Sequence, residues 1–581
     1  MDELGRRAFL VTAAGLAVAG MGRRGVESRQ RAGSGSREEA LVADLVRLND
    51  DRIPSLLERQ ERGASHRWAG GVPNEFGIFT AGDTSGLVSA LACAIAAKGS
   101  RGYHDADLLG RLQQAARFLL KVQHDDGTID LYSTNFHSPP DTAFVLEGLC
   151  PACAILERSG WPPLAPVVAD LRRFIARAAE ALTTGGVHTP NHRWVVCAAL
   201  ARAHAVAPDP RYVSRIDAWL AETIDIDPDG QYTERSTTVY SPVVDRALLT
   251  VARILDRPAL REPVRRNLDM TLYYVHPDGE VVTEASRRQD RYQRGTLARY
   301  YYAYRTMARL DGDGRFAAVA RRLERKERPA LAGDLPAFLA EPAFSQPLPP
   351  DAPVPADYAR VFPHASLARI RRGALSATIA ADNASWFSLR KGAAALEAVR
   401  LASAFFGKGQ FTGARLDVAG GRYSLRQTLD GPYFQPFTAD QVAGGVVPTL
   451  TPNGTLAADS RAIRGRSNVQ TLDTVAVVEE AGGGFTLSLS VDGTDEVPVA
   501  LELAFRRGGR LDGVEPVPGI PDAFLLRADA GRYTFGGQTI TFGPGRVEHT
   551  WTQLRGALPK WDGLSVYLTG FTPFRTQLRI R

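Results

Sequence analysis

HTPNHRWVVCAALARAHAV, residues 188–206, and DGQYTERSTTVYSPVVDR, residues 229–246, are the two stretches on which the reading of this chain turns. Thr189 and Pro190 are helix-start signals, and an apolar run follows from Trp194. Asn191, His192 and Arg193 therefore fall in the first turn of a helix, where backbone N–H groups have no partner inside the helix. An amide, an imidazole and a guanidinium at such a mouth suit a carboxylate. The second stretch follows a turn at Pro228-Asp229-Gly230 and runs into a new helix after Pro242. Tyr232, Glu234, Arg235 and Tyr240 thus gather polar and phenolic groups just before a second helix mouth. A plainer reading stands beside this one: a histidine near a helix start often serves only as a cap, and a tyrosine there as a hydrophobic staple.

Asn191-His192 followed by DGxYxExSxxxY, ending at Tyr240, resembles the heparinase II/III-like and oligoalginate polysaccharide lyases. The resemblance rests on these two short motifs and on the order of the two halves of the chain. It implies an incomplete (α/α) toroid followed by an antiparallel β-sandwich. It also implies Asn191 and His192 around a uronate carboxylate and Tyr240 in proton transfer.

The remainder of the chain bears on these expectations. With 581 residues, two or three domains are allowed, and 44% hydrophobic with 23% charged residues is ordinary globular composition. The net charge of +6 and pI near 9.1 admit an anionic partner. No dense Lys/Arg run interleaved with aromatics occurs, so no nucleic-acid partner is expected. Arg6-Arg7-Ala8-Phe9-Leu10, an apolar run to Ala19 and the small residues Ala17-Val18-Ala19 read as a twin-arginine export signal. The run is too short to span a bilayer comfortably, so no stable membrane insertion is expected. The mature protein is expected in the periplasm or outside a bacterial cell, after a disordered Gly/Arg/Ser-rich segment ending at Ser36. Cys93, Cys150, Cys153 and Cys197 sit in apolar helical context. Cys150 and Cys153 read as a buried pair, open to a disulfide in an oxidising compartment. No cofactor or metal is expected.

From residue 37 to 335 helical periodicity dominates, with about eleven segments of similar length joined by short connections, as in helical hairpins set in a ring. Several connections carry unusual polar residues. HDDGTIDLYSTNFHSPPD (124–141) offers Asn135, His137 and Asp141, although His137 before Ser-Pro-Pro equally suits a turn. HPDGEVVTEASRRQDRYQR (276–294) offers Arg288 within a charge cluster that also reads as a solvated face. Residues 336–355 are proline-rich and read as a linker. From 356 to 581 short period-two strands separated by Gly-Gly and Asp-Gly turns indicate a sandwich of two large sheets. The relatives' sandwich often contributes a histidine-bearing segment to the cleft, but the corresponding stretch here, residues 386–411, contains no histidine.

These residue types suit β-elimination on a uronate. Asn191, Arg193 and the helix mouth would neutralise the carboxylate, and Tyr240 and His192 would move protons. Glu234, Arg235, Tyr232, His137, Asn135 and Arg288 would hold the sugar. A toroid glycoside hydrolase using two of Asp141, Glu234, Asp245 and Glu284 is the alternative, and a non-catalytic glycan-binding protein is the third reading. An anionic polysaccharide or oligosaccharide is the expected partner. Changing Arg6 and Arg7 together to lysine is expected to hold the protein in the cytoplasm, as read by cell fractionation; unchanged export counts against the signal.

Overall fold

The computed structural model describes residues 37–581, so the Arg6-Arg7 signal and the segment to Ser36 lie outside the described residues. The first half is helical. Its helices are α1 (Arg37–Arg59), α2 (Ala81–Ala96), α3 (Ala106–Val122), α4 (Pro139–Ser159), α5 (Ala165–Thr184), α6 (Pro190–Val206), α7 (Pro210–Leu220), α8 (Tyr240–Ile254), α9 (Arg261–Thr271), α10 (Tyr301–Asp311), α11 (Gly314–Lys326) and α12 (Leu335–Ala340).

Side-chain distribution sorts these helices into two layers. In α2, α4, α6 and α8 small and apolar residues occur all round, and most positions are buried. In α3, α5 and α11 one stripe is buried and the opposite face carries charge. A helix apolar all round must lie inside, and a striped one outside. Accordingly α2 packs on α4, α4 on α6, α6 on α8 and α8 on α10, while α3, α5 and α7 follow one another around them; α12 lies against α1, α2 and α4. This is the α/α toroid. Because inner and outer helices alternate, the inner helices run in one direction and their N-termini share one end.

Before these N-termini the chain makes short extended turns. β1 (Val72–Pro73) pairs β2 (Phe79–Thr80) ahead of α2, and β3 (Ile129–Leu131) pairs β4 (Asn135–Ser138) ahead of α4. Single bridges join Ile226 to Tyr232 and Val275 to Val281 further along. The Asp-Gly turns have a steric reason. Gly127 has φ +86°, and a Cβ there would stand 2.1 Å from the Arg177 carbonyl oxygen of α5. Gly230 has φ +96°, and its Cβ would lie 2.4 Å from that of Arg266 in α9. Each turn rests on an outer helix too closely for any side chain.

The proline-rich stretch 336–355 is not the open linker that its composition indicates. Ala337, Phe338, Phe344 and Leu348 are buried in the helical core. Arg305, itself buried and paired with Glu324 at 2.9 Å, donates to the carbonyls of Phe344 (2.8 Å) and Gln346 (3.0 Å). Prolines here start short helical turns, and the apolar residues between them supply the burial. The chain divides into one unit running to Val275 plus Gly279–Pro355, and another of His276–Asp278 plus Ala356–Arg581. All four cysteines are buried free thiols, Cys150 and Cys153 included, and burial pushes each up to about 12.

The second unit is a β-sandwich. A ten-stranded sheet runs in space through Leu564–Phe571, Pro498–Phe505, Ala394–Ser403, Phe387–Lys391, Leu375–Ala380 and Leu367–Arg372 to Asp357–Phe362. An eight-stranded sheet includes Arg422–Phe434, Arg466–Ala481, Gly484–Gly493 and Phe574–Ile580. The strands named pair antiparallel, whereas Ala523–Leu525 pairs parallel with Leu564–Phe571 and the Val547–Thr569 bridge is parallel too. Leu389, Val399 and Leu501 of one sheet share a core with Leu472, Leu487 and Leu578 of the other. Ala394–Ser403, AALEAVRLAS, carries no strand signal because its residues favour helix. Burial on both faces of a central strand overrides that propensity. Arg546–Thr552, which alternates like a strand, makes only a single bridge from Val547 to Thr569.

Broad-specificity limited proteolysis is expected to cut first within residues 435–465, where Val442, Val447, Leu450 and Ile463 are exposed, and not within 336–355. Early cleavage at 336–355, mapped by mass spectrometry, would contradict the packing of that stretch.

Candidate functional site

The shared end of the inner helices presents unsatisfied backbone N–H groups, and polar side chains answer them one helix at a time. Thr80 accepts from the Asp83 N–H at the start of α2, and Ser138 from the Asp141 N–H at the start of α4. Thr189 is placed in the same way before α6, with His192 at the position held by Asp83 and Asp141, but its hydroxyl makes no cap. Glu234, from the loop before α8, takes over. Its Oε1 accepts from the Asn191 backbone N–H at 3.0 Å and from Asn191 Nδ2 at 2.7 Å. Hydrogen bonds to a buried carboxylate are worth about 2 kcal/mol each. Glu234 therefore ties the DGQYTERSTTVY loop to the mouth of α6.

This arrangement changes the task of two residues expected around a carboxylate. Asn191 is 1% exposed, and Nδ2 also donates to Thr189 Oγ1 at 3.0 Å, so its amide hydrogens are engaged inside the protein. Arg193 holds Glu222 at 2.9 Å and Asp225 at 2.8 Å and stacks on Trp194, so its charge is already matched. Tyr232 is likewise not a sugar contact. It is 2% exposed and donates to Asp245 at 2.8 Å, and Asp245 is 0% exposed. Burial drives the Asp245 carboxyl well above the usual range, against the hydrogen bond from Tyr232.

Around Tyr240 the geometry is different. Its phenol oxygen accepts from Gln289 Nε2 at 2.8 Å, and the Arg288 guanidinium lies 5.0 Å from its ring centre. Both neighbours come from the 285–292 loop, which Asp290 fastens to the Tyr240 loop. Asp290 is buried and accepts from Ser236 Oγ (3.0 Å), the Thr238 N–H (2.9 Å), Thr238 Oγ1 (3.1 Å) and Ser286 Oγ (3.1 Å). Ser236 Oγ also caps α8 by accepting from the Tyr240 N–H at 3.2 Å. Arg235, at φ +46°, gives its carbonyl to the Arg287 N–H at 2.7 Å and so pins the same two loops. Arg288 is half-buried with no carboxylate at ion-pair distance among the described residues. Gln289 and Asp290 carry no signal of their own in the run SRRQDR.

His192 lies between two fields. Burial lowers it to about 4; Asp141 opposes that shift, whereas His188 and Arg288 add to it. Its ring meets Phe144 edge-on at 6.2 Å, and its Nδ1 is buried without a partner. Asn135 donates to Asp141 Oδ2 at 3.0 Å and so belongs to the mouth of α4. His137 is further out. It stacks on His124 at 3.8 Å and pairs with Asp126 at 2.7 Å, a hydrogen bond that raises its pKa. The structure thus brings together Tyr240, Arg288 and Gln289, with His192 within the field of Arg288, and braces them through Asn191, Glu234 and Arg235. Arg193 and Tyr232 face other partners, and His137 stands on the exposed turn.

A toroid of inner and outer helices followed by an antiparallel sandwich is the architecture of known polysaccharide lyases. The chain is similar to the chondroitin AC lyase of Streptomyces coelicolor A3 solved with chondroitin sulphate, with TM-score 0.50 and 14% identity over 95% of this chain and 78% of that one. It is also similar to a Paenibacillus xanthan lyase, with TM-score 0.55 and 9% identity over 94% of this chain and 57% of the other. No protein-family model and no curated protein matches the chain. Among the described residues no helix is long and apolar enough to cross a membrane.

In histidine NMR spectra, the ring that disappears in His192→Gln is expected to titrate near pH 4, and that of His137 above the ordinary 6.5. Since the folded value of His192 lies below its unfolded one, its contribution to stability is intact above about pH 6.5 and is lost as pH falls toward 4. A His192 midpoint near 6.5 would contradict its burial between Phe144 and the α6 mouth.

Proposed function

We propose that this protein is a polysaccharide lyase that cleaves a uronate-containing glycan by β-elimination. The observation that carries the reading is the setting of Tyr240 at the mouth of an inner helix: an amide donor at the phenol oxygen and a guanidinium over the ring. The fold shared with proteins described as chondroitin AC lyase and xanthan lyase supports it.

In the reaction a base of the enzyme takes the C5 proton, the C5–H electron pair forms the C4=C5 double bond as the C4–O bond breaks, and an acid of the enzyme gives a proton to the leaving oxygen. Arg288, rather than Arg193, is the cation suited to the uronate carboxylate, because it is half-buried and no carboxylate among the described residues pairs with it. Neutralising that carboxylate acidifies C5. Tyr240 moves the proton. Gln289 and Arg288 stabilise the negative charge that develops on its oxygen as the proton leaves. His192, held neutral, is the second group able to hold a proton there. Asn191 and Glu234 position the α6 mouth. A two-carboxylate hydrolase fits less well, because Asp245 is sealed under Tyr232 and Glu234 is spent on Asn191. Export, which would place the enzyme with its polymer, rests on Arg6-Arg7.

On a panel of uronate polymers the wild type is expected to generate the ultraviolet absorbance of an unsaturated uronate. Tyr240→Phe keeps the ring and its packing, and kcat is expected to fall by about a hundred- to ten-thousand-fold with KM little changed. Arg288→Ala is expected to raise KM as well as lower kcat. Near-wild-type turnover in folded Tyr240→Phe would remove Tyr240 from the chemistry, and reducing ends without unsaturated product would replace the lyase reading by a hydrolase.

A further inference from the structure

The mouths of α2 and α4 line an open cavity of about 160 Å³. Phe144 lines the cavity and also meets the His192 ring edge-on, and the His192 ring lies within the field of Arg288. Tyr132 forms another part of its wall, and Phe136, 64% exposed, meets Tyr132 edge-on at 6.5 Å. Aromatic walls with a few polar groups are the usual surroundings of a sugar ring.

The charge of this cavity is opposite to that of the Arg288 side. Asp83, Asp130 and Asp141 line it. Asp83 is tied to Arg59 at 3.4 Å and Asp130 to His124 at 2.8 Å. Among the described residues Asp141 accepts from the neutral donors Asn135 and Ser138 and has no cation at ion-pair distance, although it is nearly buried. A carboxylate or sulfate brought within about 5 Å of it would lose on the order of a hundredfold in affinity. Sugar hydroxyls, by contrast, donate to a carboxylate.

We propose that this cavity is the subsite for the sugar next to the uronate, and that it accepts a residue bearing neither carboxylate nor sulfate. The substrate is then a polymer that alternates uronate with an unsulfated neutral sugar, and neither a homopolyuronate nor a sulfated chain. This deepens the lyase reading and rests on it for the placement of the uronate at Arg288.

Calorimetric binding of tetrasaccharides to the full chain tests it. An unsulfated glucuronate–N-acetylhexosamine tetrasaccharide is expected to bind at least tenfold more tightly than its sulfated form or a homouronate tetrasaccharide. Asp141→Asn is expected to close most of that gap. Tyr132→Ala, on the cavity wall and away from the helix cap, is expected to weaken the neutral alternating ligand about tenfold. Equal binding of the sulfated or homouronate ligand by wild type overturns the proposal, as does an unchanged affinity in folded Tyr132→Ala. Binding selectivity retained without any unsaturated product would remove the lyase chemistry and keep the subsite.

Discussion

A ring of helices buried on all sides leaves its N–H groups bare at one end, and those groups must be satisfied there. The other features of the helical unit follow from how that is done. Thr80, Ser138 and Ser236 serve α2, α4 and α8 from nearby in the chain, whereas α6 depends on Glu234 from another loop. Polar residues therefore collect at the one end where the inner helices start. The apolar packing that closes the ring and the polarity of its mouth are two consequences of the same burial.

A second carboxylate completes the arrangement. Asp290 accepts from Ser236, Thr238 and Ser286, so that the loop carrying Arg288 and Gln289 is fixed against the loop carrying Tyr240. Four donors compensate the burial of its charge, as burial of a carboxylate requires. The 285–292 segment reads in sequence as a solvated charge run, yet its single aspartate is its anchor. Asp290 is held by hydroxyl and backbone donors, and among the described residues Arg288 beside it has no carboxylate at ion-pair distance. Asp141, held by neutral donors, keeps the cavity at the mouths of α2 and α4 acidic. The cleft is polarised by which carboxylates the fold consumes and which it leaves exposed to a ligand.

Periodicity and composition were sufficient for much of this protein. Apolar runs with a repeat near 3.6 to residue 335 and alternation of period two after 356 separate the two halves, because these repeats are local and each half buries its own core. Thr189-Pro190 and the Asp-Gly turns place the start of α6 and the loop before α8 for the same reason: caps and tight turns are decided by a few consecutive residues. Tyr240 at the end of DGQYTERSTTVY and Asn191-His192 at a helix mouth stand where the motif puts them. The stretch 336–355 and the strand Ala394–Ser403 were not legible, because prolines between buried aromatics and helix-formers in a central strand take their state from what covers them.

Tertiary structure alone decided which of the marked side chains remain available. Arg193 and Arg288 are the same chemical group in sequence; Glu222 and Asp225 engage the first, and among the described residues no carboxylate stands at ion-pair distance from the second. Asn191 and Tyr232 belong to the motif, but Glu234 and Asp245 draw them below the surface. Gln289 reaches the Tyr240 oxygen only because Asp290 holds its loop there. Helix starts, turns and repeats depend on neighbours along the chain and so were readable from the sequence. Whether a charge is matched or free depends on partners that here lie 13 to 54 residues away, and only the folded chain brings those together.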